Sequence, residues 1–190
     1  MIAPFMQPQN SANGPNPVML DYASQPQEQD SWCWAAVAAS VSAFYTAGSG
    51  LTQCAVATQL IGALAQVNCC STPLPCICNN GAKLSDALKV TENYVTDASG
   101  SMTFADIETE IDAKRPIGCC ISWGDSSDKN HFVAIYGYDS ATQDLYVGDP
   151  QYPGIQTVPI NVLLAGYLNL GSWTWSYRTG PPPAGESPTS

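Results

Sequence analysis

The chain has 190 residues, enough for one domain with a core of its own. Hydrophobic residues make up 45% of it and charged residues 12%, about half the roughly 25% of an ordinary domain, a balance that argues for a folded chain and excludes disorder as its general state. Six Lys+Arg against sixteen Asp+Glu give a formal net charge of -10, a field that repels phosphate backbones and anionic lipid heads, so neither nucleic acid nor a membrane is expected as a partner.

Residues 1–22 are rich in Asn, Gln, Pro and Ser without periodicity and read as an extended leader or the remnant of a pro-segment. The opening MIAPFMQPQN has neither the basic n-region nor the apolar h-region of a secretion signal, and no stretch is apolar enough to span a membrane. A domain over 23–179 follows, and GPPPAGESPTS, 180–190, reads as a flexible Pro/Gly/Ser tail. Within the domain, the alanine-rich run from Trp32 to Thr46 is apolar nearly all round and predicts a buried helix with Asp30 or Ser31 as N-cap. Further helices are expected over Thr52 to Gln66, Leu84 to Tyr94 and Thr103 to Ala113, the last with Thr103 and Asp106 in capping-box spacing, before Pro116 stops the pattern. The second half changes period. PIGCCISW, HFVAIYGYD, DLYVGDP and SWTWSYR are short β-branched and aromatic runs between turn signals and read as strands. Helices followed by strands predict an α+β domain, a helical part packed on an antiparallel sheet.

Eight cysteines and a single histidine frame the chemistry. Cys33, in QEQDSWCWAA, starts the first predicted helix, where free N–H groups and the helix dipole favour a thiolate. His131 is the one imidazole available as its base, at the head of a strand and therefore at a rim. Asp149 ends the next strand of the apparent hairpin and reaches the same rim, where a carboxylate can fix the imidazole tautomer. The Cys33 N–H and a glutamine side chain shortly upstream could stabilise an oxyanion. Trp32 and Trp34 are expected to pack, one ring toward the core and the other along the cleft wall.

Gln27 followed at the right spacing by Cys33-Trp34-Ala35, His131 at a strand start and Asp149 before a proline resemble the papain-like cysteine proteases. The pattern is similar in particular to their compact bacterial, secreted or effector-like branch, with its WCWAA opening, HFVxIxGYD strand and YVxDP element. The resemblance implies a helical half carrying the nucleophile, a sheet carrying the base, and a cleft between them. It assigns Cys33 as nucleophile, His131 as general base and acid, Asp149 as its orienter, and Gln27, rather than its neighbours Gln25 and Gln29, as oxyanion donor. Asp149 departs from the larger members, which use Asn, and Asp30 stands where those members have a cysteine, so their disulfide framework does not carry over. A secreted monomer cutting a peptide or protein substrate, with no cofactor and no metal, is what this reading expects. Acyl transfer to an amine by the same residues, and a peptide-binding or toxin-like module that holds without cutting, stay open beside it.

The other seven cysteines, Cys54, Cys69, Cys70, Cys76, Cys78, Cys119 and Cys120, are all disulfide candidates, of which at most six can pair. CCSTPLPCIC reads as a crosslinked loop stapled to the second helix through Cys54, with a zinc knot as the competing reading on spacings that fit it poorly. Cys119 and Cys120 alternate across a strand, one toward the core and the other a candidate for bridging. Cysteine use of this kind points to an oxidising, extracellular destination.

Overall fold

The computed structural model describes residues 17–47, 50–124, 130–152, 154 and 156–183. Within them, α1 (Cys33–Tyr45) leads into a helical run made of α2 (Gln53–Ala57), one π turn (Thr58–Gly62) and α3 (Ala63–Ala65). Then come a 3-10 turn (Cys76–Cys78), α4 (Leu84–Val90), α5 (Phe104–Asp112) and, late in the chain, α6 (Ile160–Ala165). The strands are β1 (Val18–Met19), β2 (Tyr94–Ser99), β3 (Ile117–Trp123), β4 (Asn130–Asp139), β5 (Asp144–Gly148), β6 (Gln156–Pro159) and β7 (Gly171–Thr179). They form one antiparallel sheet in the order β2-β7-β3-β4-β5-β6, with β1 on β4, so the domain is α+β as expected.

The local reasons are those of the sequence where the pattern is strong. Thr103 caps α5 by accepting from the Asp106 N–H at 3.2 Å, and Thr52 caps α2 by accepting from Ala55 at 3.3 Å. Four alternating runs became β3, β4, β5 and β7. β3, β4 and β5 carry inward-facing Ile117, Val133, Ile135, Leu145 and Val147, all fully buried. The alanines of α1 let that helix lie close against β4, and residues Cys33 to Ser42 of it are buried without a polar face.

Several expectations need correction. Neither Asp30 nor Ser31 caps α1. Trp32 holds the N-cap position without a side-chain bond, and just before it the Ser31 N–H donates to Asn79 Oδ1 at 3.1 Å. The helix expected to run to Tyr94 stops at Val90; Glu92 then adopts a left-handed φ of 59°, and Tyr94 opens β2, an edge strand paired only with β7. Residues 18–22 are not leader in this structure. β1 pairs Val18 with Tyr138 and Met19 with Gly137, Leu20 N–H donates to Tyr136 O at 2.9 Å, and Leu20 and Tyr22 are buried. At the other end Gly180 is tied to Asn93 by two hydrogen bonds; residues 1–16 and 184–190 lie outside the described residues.

Two disulfides form: Cys54–Cys70, from α2 to the loop, and Cys69–Cys78 inside the loop. The adjacent pair Cys69 and Cys70 thus turns to opposite partners. Cys76 stays an exposed free thiol, and Cys119 and Cys120 are free and buried, so these three expected bridge candidates are not bridged. The bridged cysteines all sit in or beside a loop that docks on the start of α1, through Trp32 Nε1–H to Cys78 O (2.7 Å) and Trp34 Nε1–H to Asn80 O (3.1 Å), whereas β3 lies in the middle of the sheet.

The Cys69–Cys78 bridge therefore holds the loop that holds the start of α1. Replacing both cysteines by alanine is expected to lower the unfolding free energy by about 2–3 kcal/mol, from the loop-closure entropy the bridge removes. Urea unfolding checks this; a loss below about 0.5 kcal/mol, the size of an ordinary surface change, would show that the loop is held by its other contacts.

Candidate active site

Cys33 is the first residue of α1, and that helix begins without a side-chain cap or a first-turn carboxylate. Its ladder starts with the Ala36 N–H donating to Trp32 O at 2.9 Å, so no capping side chain consumes the Cys33 N–H. Facing it, β4 presents His131. The two line opposite walls of a cleft of about 1110 Å³, together with Gln27 and Trp34 on the helical side and Cys120, Trp123 and Trp175 on the sheet side. Trp32 is turned into the core and Trp34 into the cleft wall, the division expected of the pair.

β4 pairs with β5 in antiparallel register, Ala134 opposite Gly148, and this places the residue after β5 beside the head of β4. That residue is Asp149, 1% exposed, and the His131 Nε2–H donates to its Oδ1 at 2.7 Å. The Gln151 N–H donates to the same oxygen at 2.8 Å and the Tyr167 hydroxyl to Oδ2 at 2.6 Å. With Nε2 committed to Asp149, Nδ1 is the nitrogen left for Cys33, whose side chain is among the groups that raise the His131 pKa.

The electrostatics follow from those contacts. Burial disfavours the imidazolium, but the hydrogen bonds to Asp149 and Cys33 and their charges outweigh it, and the His131 pKa is raised to about 9. Burial likewise pushes the Asp149 carboxyl up, and the bonds from His131, Tyr167 and Gln151 with the imidazolium charge pull it below its ordinary value. The arrangement favours a carboxylate and an imidazolium side by side, with the Cys33 side chain at a helix start across the cleft.

Of the three candidate glutamines, Gln27 lines the cleft. Its N–H donates to Pro150 O at 2.9 Å, and its Nε2 donates to Gln29 O (3.0 Å) and Asp30 O (2.8 Å), while its Oε1 is buried and without a partner. Both amide hydrogens are thus engaged in the resting site. Gln25 instead faces Gln53, which takes its Oε1 at 3.4 Å. The sequence marked Cys120 only as a disulfide candidate, whereas it faces the cleft with a thiol pushed up by burial, and it did not single out Tyr167, which lies in no pattern that would mark it. Among the described residues no group of three or more His, Cys, Asp or Glu is placed to hold a metal ion.

His131 is the only histidine in the chain, so its imidazole resonances can be followed alone. An NMR titration is expected to give a midpoint near 9, falling when Cys33 or Asp149 is replaced by alanine; a wild-type midpoint at the ordinary 6.5 would mean that the imidazole lacks these partners. Since the folded-state pKa is the raised one, the stability His131 contributes is complete below about pH 6.5 and is lost as pH rises through about 9.

A family model described as Peptidase_C39 like family matches residues 19–178 of the chain. A search of curated proteins finds no match.

Proposed function

The chain belongs to the Peptidase_C39 like family, a family of cysteine-peptidase type, and from that premise we propose that it is a papain-like cysteine endopeptidase with Cys33, His131 and Asp149 as its catalytic triad. The observation that carries the reading is the buried His131–Asp149 pair, 2.7 Å apart, lining one cleft with a cysteine at the start of a helix.

In this mechanism Cys33 reacts as the thiolate of a thiolate–imidazolium pair, its proton held on His131 Nδ1, and attacks the carbonyl carbon of the scissile peptide bond. The oxygen that becomes negative is met by the Cys33 N–H at the helix start. Gln27 serves as the second donor if one of its Nε2–H bonds, to Gln29 O or Asp30 O, is handed over to the developing charge. The His131 imidazolium protonates the departing amine nitrogen, leaving a thioester on Cys33. Water then gives a proton back to His131 as it attacks the thioester, the carboxylic acid product leaves, and the thiolate–imidazolium pair is restored. Asp149 keeps its charge throughout and holds the imidazole ring, as in other nucleophile-base-carboxylate sites. The substrate is a peptide or protein strand lying in the cleft. The two disulfides favour an oxidising, secreted setting for the enzyme, and no helix among the described residues is long and apolar enough to cross a membrane.

An epoxide-type cysteine protease inhibitor is expected to label one residue, Cys33, stoichiometrically. His131→Ala is expected to abolish that labelling, and Cys33→Ala to reduce hydrolysis of fluorescein-labelled casein by at least about a thousandfold. Peptide mapping by mass spectrometry reads the label. Unlabelled Cys33 in a folded protein with His131 intact would end the proposal.

A further inference from the structure

Asp149 is held by more than the imidazole. Its Oδ2 accepts from the hydroxyl of Tyr167 at 2.6 Å, a tyrosine 2% exposed that follows α6. A hydroxyl has one proton to donate. Gln156 Oε1 lies 3.1 Å from the same group, and the nearer, charged carboxylate outcompetes it for that proton.

The backbone around Tyr167 is built to fix it. Tyr167 N–H donates to Gly171 O at 2.9 Å and Gly171 N–H returns a bond to Tyr167 O at 2.7 Å. Between them Leu168 and Asn169 take left-handed φ values of 47° and 78°, a conformation that costs a leucine roughly 1–2 kcal/mol. Gly171 has no substitute there. A Cβ would lie 2.6 Å from Ile121 Cγ2 and 2.8 Å from Trp123 Cζ3. The ring of Trp123, itself a wall of the cleft, stacks on the Tyr167 ring with centroids 6.5 Å apart and planes at 30°.

We propose that Tyr167 is a positioning residue of the active site: its hydroxyl locks the Asp149 carboxylate so that Oδ1 stays aimed at His131 Nε2. The inference rests on the triad reading. Without this donor, Oδ2 is a buried carboxylate oxygen with no partner among its present contacts, and the carboxylate resists turning about its last torsion through its two Oδ1 bonds alone. Turning takes Oδ1 away from Nε2 and loosens the imidazole that must reach Cys33. The hydroxyl also favours the ionised carboxylate, in the direction in which the Asp149 pKa is displaced.

The test follows the rate at which iodoacetamide alkylates Cys33 as a function of pH, read by mass spectrometry with the exposed thiol of Cys76 as internal reference, beside casein turnover. In Tyr167→Phe the acid limb of Cys33 alkylation is expected to move up by about one pH unit, because Asp149 takes its proton at higher pH, and casein turnover to fall about tenfold. Site-specific 3-fluorotyrosine at 167 is nearly the same size and a stronger donor, and is expected to move the limb down. It decides the matter should Tyr167→Phe not fold. A tyrosine that only fills space would lower the melting temperature of the phenylalanine variant and leave both profiles where they are, which would overturn the proposal. Wild-type Cys33 alkylated no faster than Cys76 at acid pH would overturn the triad reading itself, and the two failures are thereby told apart.

Discussion

A carboxylate that is 1% exposed must be matched by donors or give up its charge, and the fold around Asp149 is arranged to match it. Three donors reach it from three places: His131 from the head of β4, Gln151 from the turn just beyond β5, and Tyr167 from the turn before β7. The neighbouring backbone joins in, since Pro150 O accepts from Gln27 N–H and so ties the segment leading to α1 to the same corner. Strand order and register are what bring these together. β4 lies between β3 and β5, and the β4–β5 register sets Asp149 beside His131 rather than one residue further along, where its side chain would point to the opposite face.

The Cys33 side of the cleft obeys a different constraint. A helix start with an unspent N–H at Cys33 is useful only if something other than a capping side chain holds it in place. The disulfide loop does so by accepting from the indole N–H groups of Trp32 and Trp34 and from the Ser31 N–H. The two tryptophans flanking Cys33 are therefore anchors as well as core. Charges elsewhere serve the frame. Buried Glu110 on α5 accepts from Arg115 at 2.6 Å and from Arg178 of β7 at 3.0 Å, clamping a helix to the central part of the sheet.

Much of this was legible in the residues, for identifiable reasons. Cys33, His131 and Asp149 each sit at an element boundary that the periodicity locates: a buried alanine-rich helix, the head of an alternating strand, the end of the next. Long, strongly patterned elements such as α1, α5, β3, β4 and β7 were foreseen within a few residues. β2 was not, because an edge strand half open to water needs no apolar alternation, and YVTDAS has little. β1 was missed for a related reason: two residues in a polar, Pro-rich stretch carry no pattern, and their strand character comes from the end of β4 that runs past β3. The N-cap of α1 was misplaced because Asp30 and Ser31 are good caps in isolation, while the helix starts at Cys33 with Trp32 before it, held by contacts to a loop distant in sequence. Tyr167 was invisible on the same ground, as its role depends on a turn that brings it back to β5. Disulfide pairing likewise depends on which thiols the loop brings together, which spacing alone leaves open.

The strap from Val18 to Gln27 has a mechanical consequence. It is bonded to the far end of β4 through β1 and Leu20, and to the Asp149 corner through the Gln27 N–H, before it enters α1. One continuous piece of chain thus crosses from the sheet to the helix that bears Cys33. Pulling the two walls apart would have to stretch or peel that strap, so the width of the cleft is set by covalent tether and ladder bonds together.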